Sequence, residues 1–313
     1  MNQHTIINAF NNHKKYYFLG GSASWANVRG LLSANIPDLR LYEEGSYDSP
    51  DIDVWGISDR ELFKAANQRL SELPTEQPFV AFIQLAGNHR PFTIPDDDSE
   101  FEVRAEDDEK LQRFGFLAAD KYNAIRLLDY NVGYYLNTLV ANSPYAGNTI
   151  FVMYGDHNDR SNRSEHMGYS DALYLDKHHV PMIIYAPGII EEPKVIEQAT
   201  SLVDIMPTTL GLIGLTYQNR TLGRDMLSWD KESYALTFGG DRSNRPLIGL
   251  LDQSYLLSMY HDGSGTHLYP LQNASFSNDV REQKPVEAAK RKAMLDGFYQ
   301  AARYMLEHNR KDK

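Results

Sequence analysis

An acidic side chain and an imidazole are adjacent in the sequence at Asp156 and His157, directly after the apolar run TIFVMYG (149–155). A carboxylate oxygen beside an imidazole nitrogen suits a divalent cation such as Zn²⁺, Mn²⁺ or Mg²⁺, and Gly155 would let the backbone turn before the pair. The alternative is an Asp that caps a helix, followed by an incidental His. The position after an apolar run favours metal ligation, so this pair is our first candidate for chemistry.

A second imidazole, His89, follows the apolar run FVAFIQLAG (79–87) and lies between Asn88 and Arg90. Such a group could bind an anionic oxygen or protonate a leaving group. A histidine that only makes hydrogen bonds within its own loop, with no catalytic role, explains the sequence equally well. We therefore treat His89 as a candidate catalytic residue that the sequence leaves open.

Two further candidates follow the run YYFLGG (16–21), namely Trp25 and Arg29. Arg29 could make a two-point contact with a phosphate or sulfate while Trp25 lines the pocket, although a solvated Arg and a core Trp are the ordinary alternatives. The segment 156–180 is also rich in imidazole. One of its further histidines could be another ligand or contact a transferred group, and His166 is our choice over His178 and His179.

The apolar runs before these residues are short and bounded by Gly, Pro or charge, which predicts buried strands; a further run is VPMIIYAPG (180–188). Helical patterns lie between them, at 59–70 and 120–140. Strands alternating with helices predict an α/β fold with a mostly parallel sheet sandwiched by helices. Because ligands bind outside the carboxyl ends of such strands, we expect Trp25, His89 and Asp156 to converge on one rim.

The sequence changes in character near residue 233. Short strand patterns separated by turn residues predict a small antiparallel sheet, and 285–308 is rich in Ala, Lys, Glu, Met and Leu, which predicts a terminal helix. We therefore divide the chain into an α/β domain over 1–232 and a C-terminal antiparallel subdomain with its helix over 233–313.

Composition excludes several classes of protein. The chain has 313 residues and a net charge of -11, which argues against nucleic-acid binding, since phosphate contacts need clustered Lys and Arg. No stretch approaches the roughly 20 apolar residues that cross a bilayer, so we expect the chain alone to be soluble. It contains no Cys, so a metal must be held by His, Asp, Glu or hydroxyl oxygen.

Taken in order, the motifs resemble the sulfatase/alkaline-phosphatase superfamily, and within it the lipoteichoic-acid-synthase-like phosphoglycerol transferase branch. The resemblance extends over nearly the whole chain. Its motifs are GGSASW (20–25), DVWGISDRELF (53–63), AGNHRPFTIP (86–95), YNAIRLLDYNVG (122–133), YGDHNDR (154–160), VPMIIYAPG (180–188), SLVDIMPTTLGLIG (201–214) and the C-terminal LLDQSYLLSMYHDGSGTHLYPL (250–271).

The resemblance implies that Asp156 and His157 are two ligands of a catalytic divalent metal, and that His89 lies beside the transferred group. It also implies that Trp25 and Arg29 hold an anionic lipid or glycan headgroup, although the family's aromatic-to-Arg spacing is shorter than here. In the family, a metal-bound Thr or Ser attacks phosphorus or sulfur. Family members are anchored in the inner membrane, with this domain outside the cytoplasm.

One departure from the family pattern concerns the N-terminus. The family's first strand, a metal-binding carboxylate and the Thr or Ser nucleophile precede the Gly-Gly strand by several dozen residues, and only about fifteen residues precede it here. We therefore expect a truncated and incomplete transferase, with membrane association only through a missing N-terminal segment. The alternatives are a sulfatase, although the sequence has no C/S-x-P-x-R motif, and a noncatalytic headgroup-binding module.

Overall fold

The computed structural model describes residues 3–97, 100–116, 118–158, 175–228, 232–239, 245–272 and 278–311. The chain forms two compact units. One comprises Met1–Phe151 with Tyr185–Glu191, and the other comprises Val152–Ile184 with Glu192–Lys313. We call them unit 1 and unit 2. They divide the chain at other points than the sequence boundary at 232–233, which stays a prediction.

The helices of both units, in chain order, are α1 (Val28–Asn35), α2 (Asp59–Ser71), α3 (Asp108–Arg113), α4 (Ala119–Tyr134), α5 (Leu175–His178), α6 (Ile205–Leu212) and α7 (Pro285–His308). The strands are β1 (Lys14–Leu19), β2 (Leu39–Tyr42), β3 (Phe79–Gln84), β4 (Phe151–Tyr154), β5 (Met182–Tyr185), β6 (Ala235–Gly239), β7 (Leu247–Leu251), β8 (Tyr255–Tyr260) and β9 (His267–Pro270).

Unit 1 is built on a three-stranded parallel sheet in the order β2-β1-β3. The central strand β1 buries Tyr16 and Phe18 almost completely, and the Phe18 ring stacks on Tyr42 of β2 at 5.1 Å. Helix α2 buries residues at helical spacing, including Leu62, Ala66 and Leu70, in the same core. The predicted parallel α/β arrangement is therefore confirmed.

The long helix of unit 1 begins close to the predicted start, but its regular α-helical part ends earlier than predicted. The pattern predicted a continuous helix over 120–140, and instead α4 ends at Tyr134 and continues as a π-helical turn over Tyr135–Leu139. The three- and four-residue spacing of apolar residues predicts a face that includes Val132, Tyr135 and Leu139, and all three lie in or against the core of unit 1. Ala124 and Leu127 are buried as well. The wider turn brings Tyr135 onto Phe63 of α2, with ring centroids 4.3 Å apart.

Unit 2 contains the predicted antiparallel sheet, which has four strands in the order β6-β7-β8-β9. Leu250, Leu257 and Met259 are buried between this sheet and α7, whose Leu295 reaches the same core. The terminal helix spans Pro285–His308, as the composition predicted. Strands β4 and β5 pair with each other in a separate two-stranded sheet.

Among the described residues, no helix has the length and apolar character needed to cross a bilayer.

Candidate functional site

A tight turn places Trp55 over the carboxyl end of β1. The backbone N–H of Trp55 donates to Oδ1 of Asp53 at 2.8 Å, and Gly56 follows with φ of +91°. A Cβ atom on Gly56 would clash with the carbonyl oxygen of Gly20. The turn can therefore cross the end of β1 only because glycine occupies position 56.

Trp55 joins two of the predicted site residues into one aromatic cluster in unit 1. Its ring lies 4.1 Å from the His89 ring, tilted by 52°, and 6.1 Å from the Trp25 ring in an edge-to-face arrangement. Trp25 itself is 70% exposed, so it is not a core residue. Since β1 and β3 are neighbours, the loops that follow them meet, as expected for Trp25 and His89. The place of Asp156 on the same rim stays a prediction.

The loop that carries His89 is held at both ends by the segment that contains Trp55. At its start, the carboxylate of Asp59 accepts the backbone N–H groups of Ala86 at 2.9 Å and Gly87 at 3.1 Å. At its end, Trp55 Nε1–H donates to the carbonyl of Arg90 at 2.7 Å. Burial raises the pKa of the Asp59 carboxyl, although its two backbone hydrogen bonds act in the opposite direction.

Arg29 lies in the same unit, in α1, but its guanidinium already has a carboxylate partner. Arg29 Nε and Nη2 donate to the two carboxylate oxygens of Glu43, each at 2.7 Å, and Nη1 donates to Ser24 Oγ at 3.2 Å. Glu43 directly follows β2 and also accepts the N–H of Ala23 at 2.7 Å. The two-point geometry expected toward an anion is thus present, with Glu43 as the anion.

Asp156 and His157 lie in unit 2, separated from the end of β4 by Gly155. Both side chains are exposed, at 78% and 55%, and His157 Nε2 lies 3.7 Å from Asp156 Oδ2. One hard oxygen and one imidazole nitrogen are therefore within reach of a single divalent ion. Gly155 does not adopt a left-handed conformation; its small size instead accommodates Val180, 3.0 Å from where a Cβ would lie.

The other histidines proposed in this region divide into two cases. His166 lies outside the described residues. His178 is in α5, and its Nε2 donates to the carbonyl of Phe238 at 2.5 Å, a contact within unit 2. Within the described residues, no group of three or more His, Cys, Asp or Glu side chains could hold a metal ion.

Three residues that organise the cluster in unit 1 were not recognised from the sequence, and they are Trp55, Asp59 and Glu43. A signal existed for two of them. The motif DVWGISDRELF contains a Trp-Gly turn and then Ser58, whose side chain accepts the N–H of Glu61 and caps α2. Glu43 gave no signal, since β2 was not predicted.

The parallel sheet of unit 1, the antiparallel sheet and the terminal helix together define an alkaline-phosphatase-like α/β fold. The family model described as Sulfatase matches residues 1–215, and the chain belongs to this family.

Relatives and solved structures agree with this assignment. The chain is 28% identical over 196 residues to the lipoteichoic acid synthase-like YvgJ of Bacillus subtilis, covering 59% of this chain and 30% of that protein. The lipoteichoic acid synthase LtaP of Listeria monocytogenes superposes with a TM-score of 0.74 at 21% identity, over 96% of this chain and 71% of the other.

A putative sulfatase of Bacteroides thetaiotaomicron has the same fold, with a TM-score of 0.60 at 16% identity over 95% of this chain and 74% of the other. The chain spans about a third of the length of the curated relatives it matches.

Proposed function

We propose that the chain carries headgroup-binding and metal-binding parts of a phosphoryl transferase or hydrolase that acts on anionic lipid or glycan headgroups, with phosphoglycerol as the group transferred. The observation that carries this proposal is the cluster of Trp25, Trp55 and His89 at the carboxyl ends of β1 and β3. Aromatic faces beside an imidazole can bind the C–H face of a polyol and its polar groups together.

In this proposal Arg29 contacts the negative charge of the headgroup. Its fork is now occupied by Glu43, and a bound phosphate would compete with that carboxylate for the same donors. The Arg29 side chain is 51% exposed and so accessible to a phosphate, while Glu43, 15% exposed, would keep its hydrogen bond from the Ala23 N–H. His166 is proposed as a further headgroup contact on its sequence position alone.

Asp156 and His157 are proposed as two ligands of a divalent metal, Mn²⁺, Mg²⁺ or Zn²⁺. The oxygen and nitrogen donors of the pair fit such an ion, and both side chains are accessible to solvent. A metal bound there would lower the pKa of a coordinated hydroxyl and neutralise charge on the transferred group. Trp25, Trp55 and His89 would bind and orient the headgroup.

Metal binding tests this proposal directly. Titration of the purified chain with Mn²⁺, followed by the electron paramagnetic resonance of the free ion, should show binding that Asp156→Ala weakens by about tenfold or more. Asp262→Ala, which removes another partly exposed Asp of unit 2, is the matched control and should bind as the unmodified chain does. Equal binding by the Asp156→Ala variant would contradict the metal assignment.

We predict little or no turnover by this chain alone, because Asp156 and His157 supply only two ligands and no group of three or more His, Cys, Asp or Glu among the described residues could hold a metal ion. Hydrolysis of a chromogenic phosphodiester is the measurement. Clear activity that disappears in Asp156→Ala would contradict this prediction, while it would support the role of Asp156.

A second candidate function is a noncatalytic module that recognises headgroups. The cluster of Trp25, Trp55 and His89 is formed within one unit, and recognition by it requires no metal. Glycerol phosphate that binds equally well with and without a chelator would favour the module. Sulfate ester hydrolysis is the alternative enzymatic reading, and preference for a sulfated over a phosphorylated headgroup would favour it.

A further inference from the structure

The carbonyl oxygen of Arg90 is the common acceptor for two side chains of the aromatic cluster. Trp55 Nε1–H donates to it at 2.7 Å, and His89 Nδ1 lies 3.1 Å from it. A carbonyl oxygen can only accept a hydrogen bond, so the nitrogen at 3.1 Å must carry the proton. This contact therefore specifies which ring nitrogen of neutral His89 is protonated.

Trp55 is the group that keeps this acceptor in place. Its indole N–H fixes the Arg90 carbonyl from one side, and its ring lies 4.1 Å from the His89 ring. Asp59 holds the start of the same loop through Ala86 and Gly87. With the loop and the carbonyl both fixed, the imidazole has one preferred orientation and one preferred tautomer.

We propose that Trp55, acting through the Arg90 carbonyl, is a positioning residue that holds neutral His89 as its Nδ1–H tautomer, so that Nε2 accepts a hydrogen bond from a substrate hydroxyl. His89 is exposed, and its Nε2 makes no hydrogen bond within the described part of the chain.

The assignment of a substrate hydroxyl to Nε2 rests on the proposed function, because it states which part of a headgroup contacts His89. A neutral Nε2 with a lone pair cannot bind the oxygens of sulfate or of a fully ionised phosphate, which are acceptors only. It can accept the O–H of a polyol. The chemistry thus favours a hydroxyl-bearing headgroup, such as phosphoglycerol, over a bare sulfate group at this position.

Long-range ¹H–¹⁵N correlation spectra of the histidine rings test the tautomer in the full chain at about pH 8, where an ordinary imidazole is neutral. The His89 signals are assigned from their loss in His89→Gln. The unmodified chain should show the Nδ1–H form. Trp55→Phe keeps an aromatic ring and removes the indole N–H, and it should shift His89 toward the Nε2–H form.

Trp25→Phe is the matched control, because Trp25 contacts the Trp55 ring and not the Arg90 carbonyl, so His89 should keep its Nδ1–H form. An Nε2–H form in the unmodified chain would overturn the inference, and this spectrum needs no variant to fold. An unchanged tautomer in a folded Trp55→Phe variant would overturn the role of Trp55.

Ligand titrations separate this inference from the proposed function. Glycerol phosphate should perturb the His89 Nε2 resonance while the ring stays neutral, and inorganic sulfate should not. Perturbation by sulfate with protonation of the ring would overturn the hydroxyl assignment. If neither probe perturbs an Nδ1–H imidazole, the hydroxyl assignment and the proposed function both fail, and the tautomer assignment stands.

Discussion

Each of the two units contains an arginine whose guanidinium donates two hydrogen bonds to a single carboxylate. In unit 1, Arg29 and Glu43 make two contacts of 2.7 Å. In unit 2, Arg224 reaches Asp204 at 2.9 Å through Nη2 and at 3.3 Å through Nε. The side chains are 51% and 15% exposed in the first pair, and 6% and 0% in the second.

The surroundings make these similar pairs energetically different. Asp204 also accepts the N–H groups of Arg224 at 2.8 Å and Ser201 at 2.9 Å. Arg224 in turn donates to the Tyr234 carbonyl at 2.6 Å, and its guanidinium lies 3.8 Å from the centroid of the Tyr234 ring. The buried pair is thus enclosed by further contacts, whereas the Arg29 side chain of the other pair is half exposed to solvent.

The largest expected effect comes from breaking the buried pair. Asp204→Ala should lower the free energy of unfolding of unit 2 by about 3–5 kcal/mol, because it leaves the Arg224 charge buried without its carboxylate. Urea unfolding followed by circular dichroism measures this loss. The double variant Asp204→Ala with Arg224→Met should recover part of it. A loss below about 1 kcal/mol would remove the distinction between the two pairs.

The next effect concerns the turn at Gly56, which places Trp55 in the aromatic cluster of unit 1. It tests whether this turn contributes more to the stability of unit 1 than the pair of Arg29 and Glu43 does. Gly56→Ala should destabilise unit 1 by about 1–3 kcal/mol, because the residue has a positive φ and its Cβ would clash with Gly20. Tryptophan fluorescence during unfolding reports it. Gly147→Ala, where a Cβ meets nothing within 4 Å, is the control and should be nearly neutral.

A smaller effect is expected when the exposed pair is broken. Glu43→Gln should change the stability of unit 1 by about 1 kcal/mol or less, since an exposed ion pair contributes little. It should tighten the binding of glycerol phosphate, because Arg29 then has no carboxylate competitor. Arg29→Ala should weaken the same binding by about tenfold. Calorimetric titration measures both, and unchanged affinity in the two variants would exclude Arg29 from the headgroup site.

The smallest effect is the pH dependence of the exposed pair. The hydrogen bond from Arg29 holds the pKa of the Glu43 carboxyl below its ordinary value. A lowered folded-state pKa means that the pair stabilises unit 1 above about pH 4.3 and loses this contribution as pH falls through the folded value. The stability difference between the unmodified chain and Glu43→Gln should therefore shrink in acid; a difference that grows would contradict the pairing.

The sequence predicted β1, β3, β4, β5, the antiparallel sheet and the terminal helix, because these depend on local patterns of residues. It also predicted that Trp25 and His89 lie near each other, since the carboxyl ends of neighbouring parallel strands lie at the same edge of the sheet. It could not reveal that Arg29 pairs with Glu43, because 14 residues and an unpredicted short strand separate them. Nor could it reveal the buried partner of Asp204, because Arg224 lies 20 residues further on in a segment without periodicity.

The hydrogen bonds from Ala86 and Gly87 to the Asp59 carboxylate limit how the loop that carries His89 can move. Asp59 is the first residue of α2, so the carboxylate that holds Ala86 and Gly87 belongs to a helix whose next turns are buried in the core. The loop cannot open at its start without the loss of these bonds or the fraying of that helical turn. The amides of Ala86 and Gly87 should therefore exchange their hydrogens as slowly as the first turn of α2, although they lie in a loop.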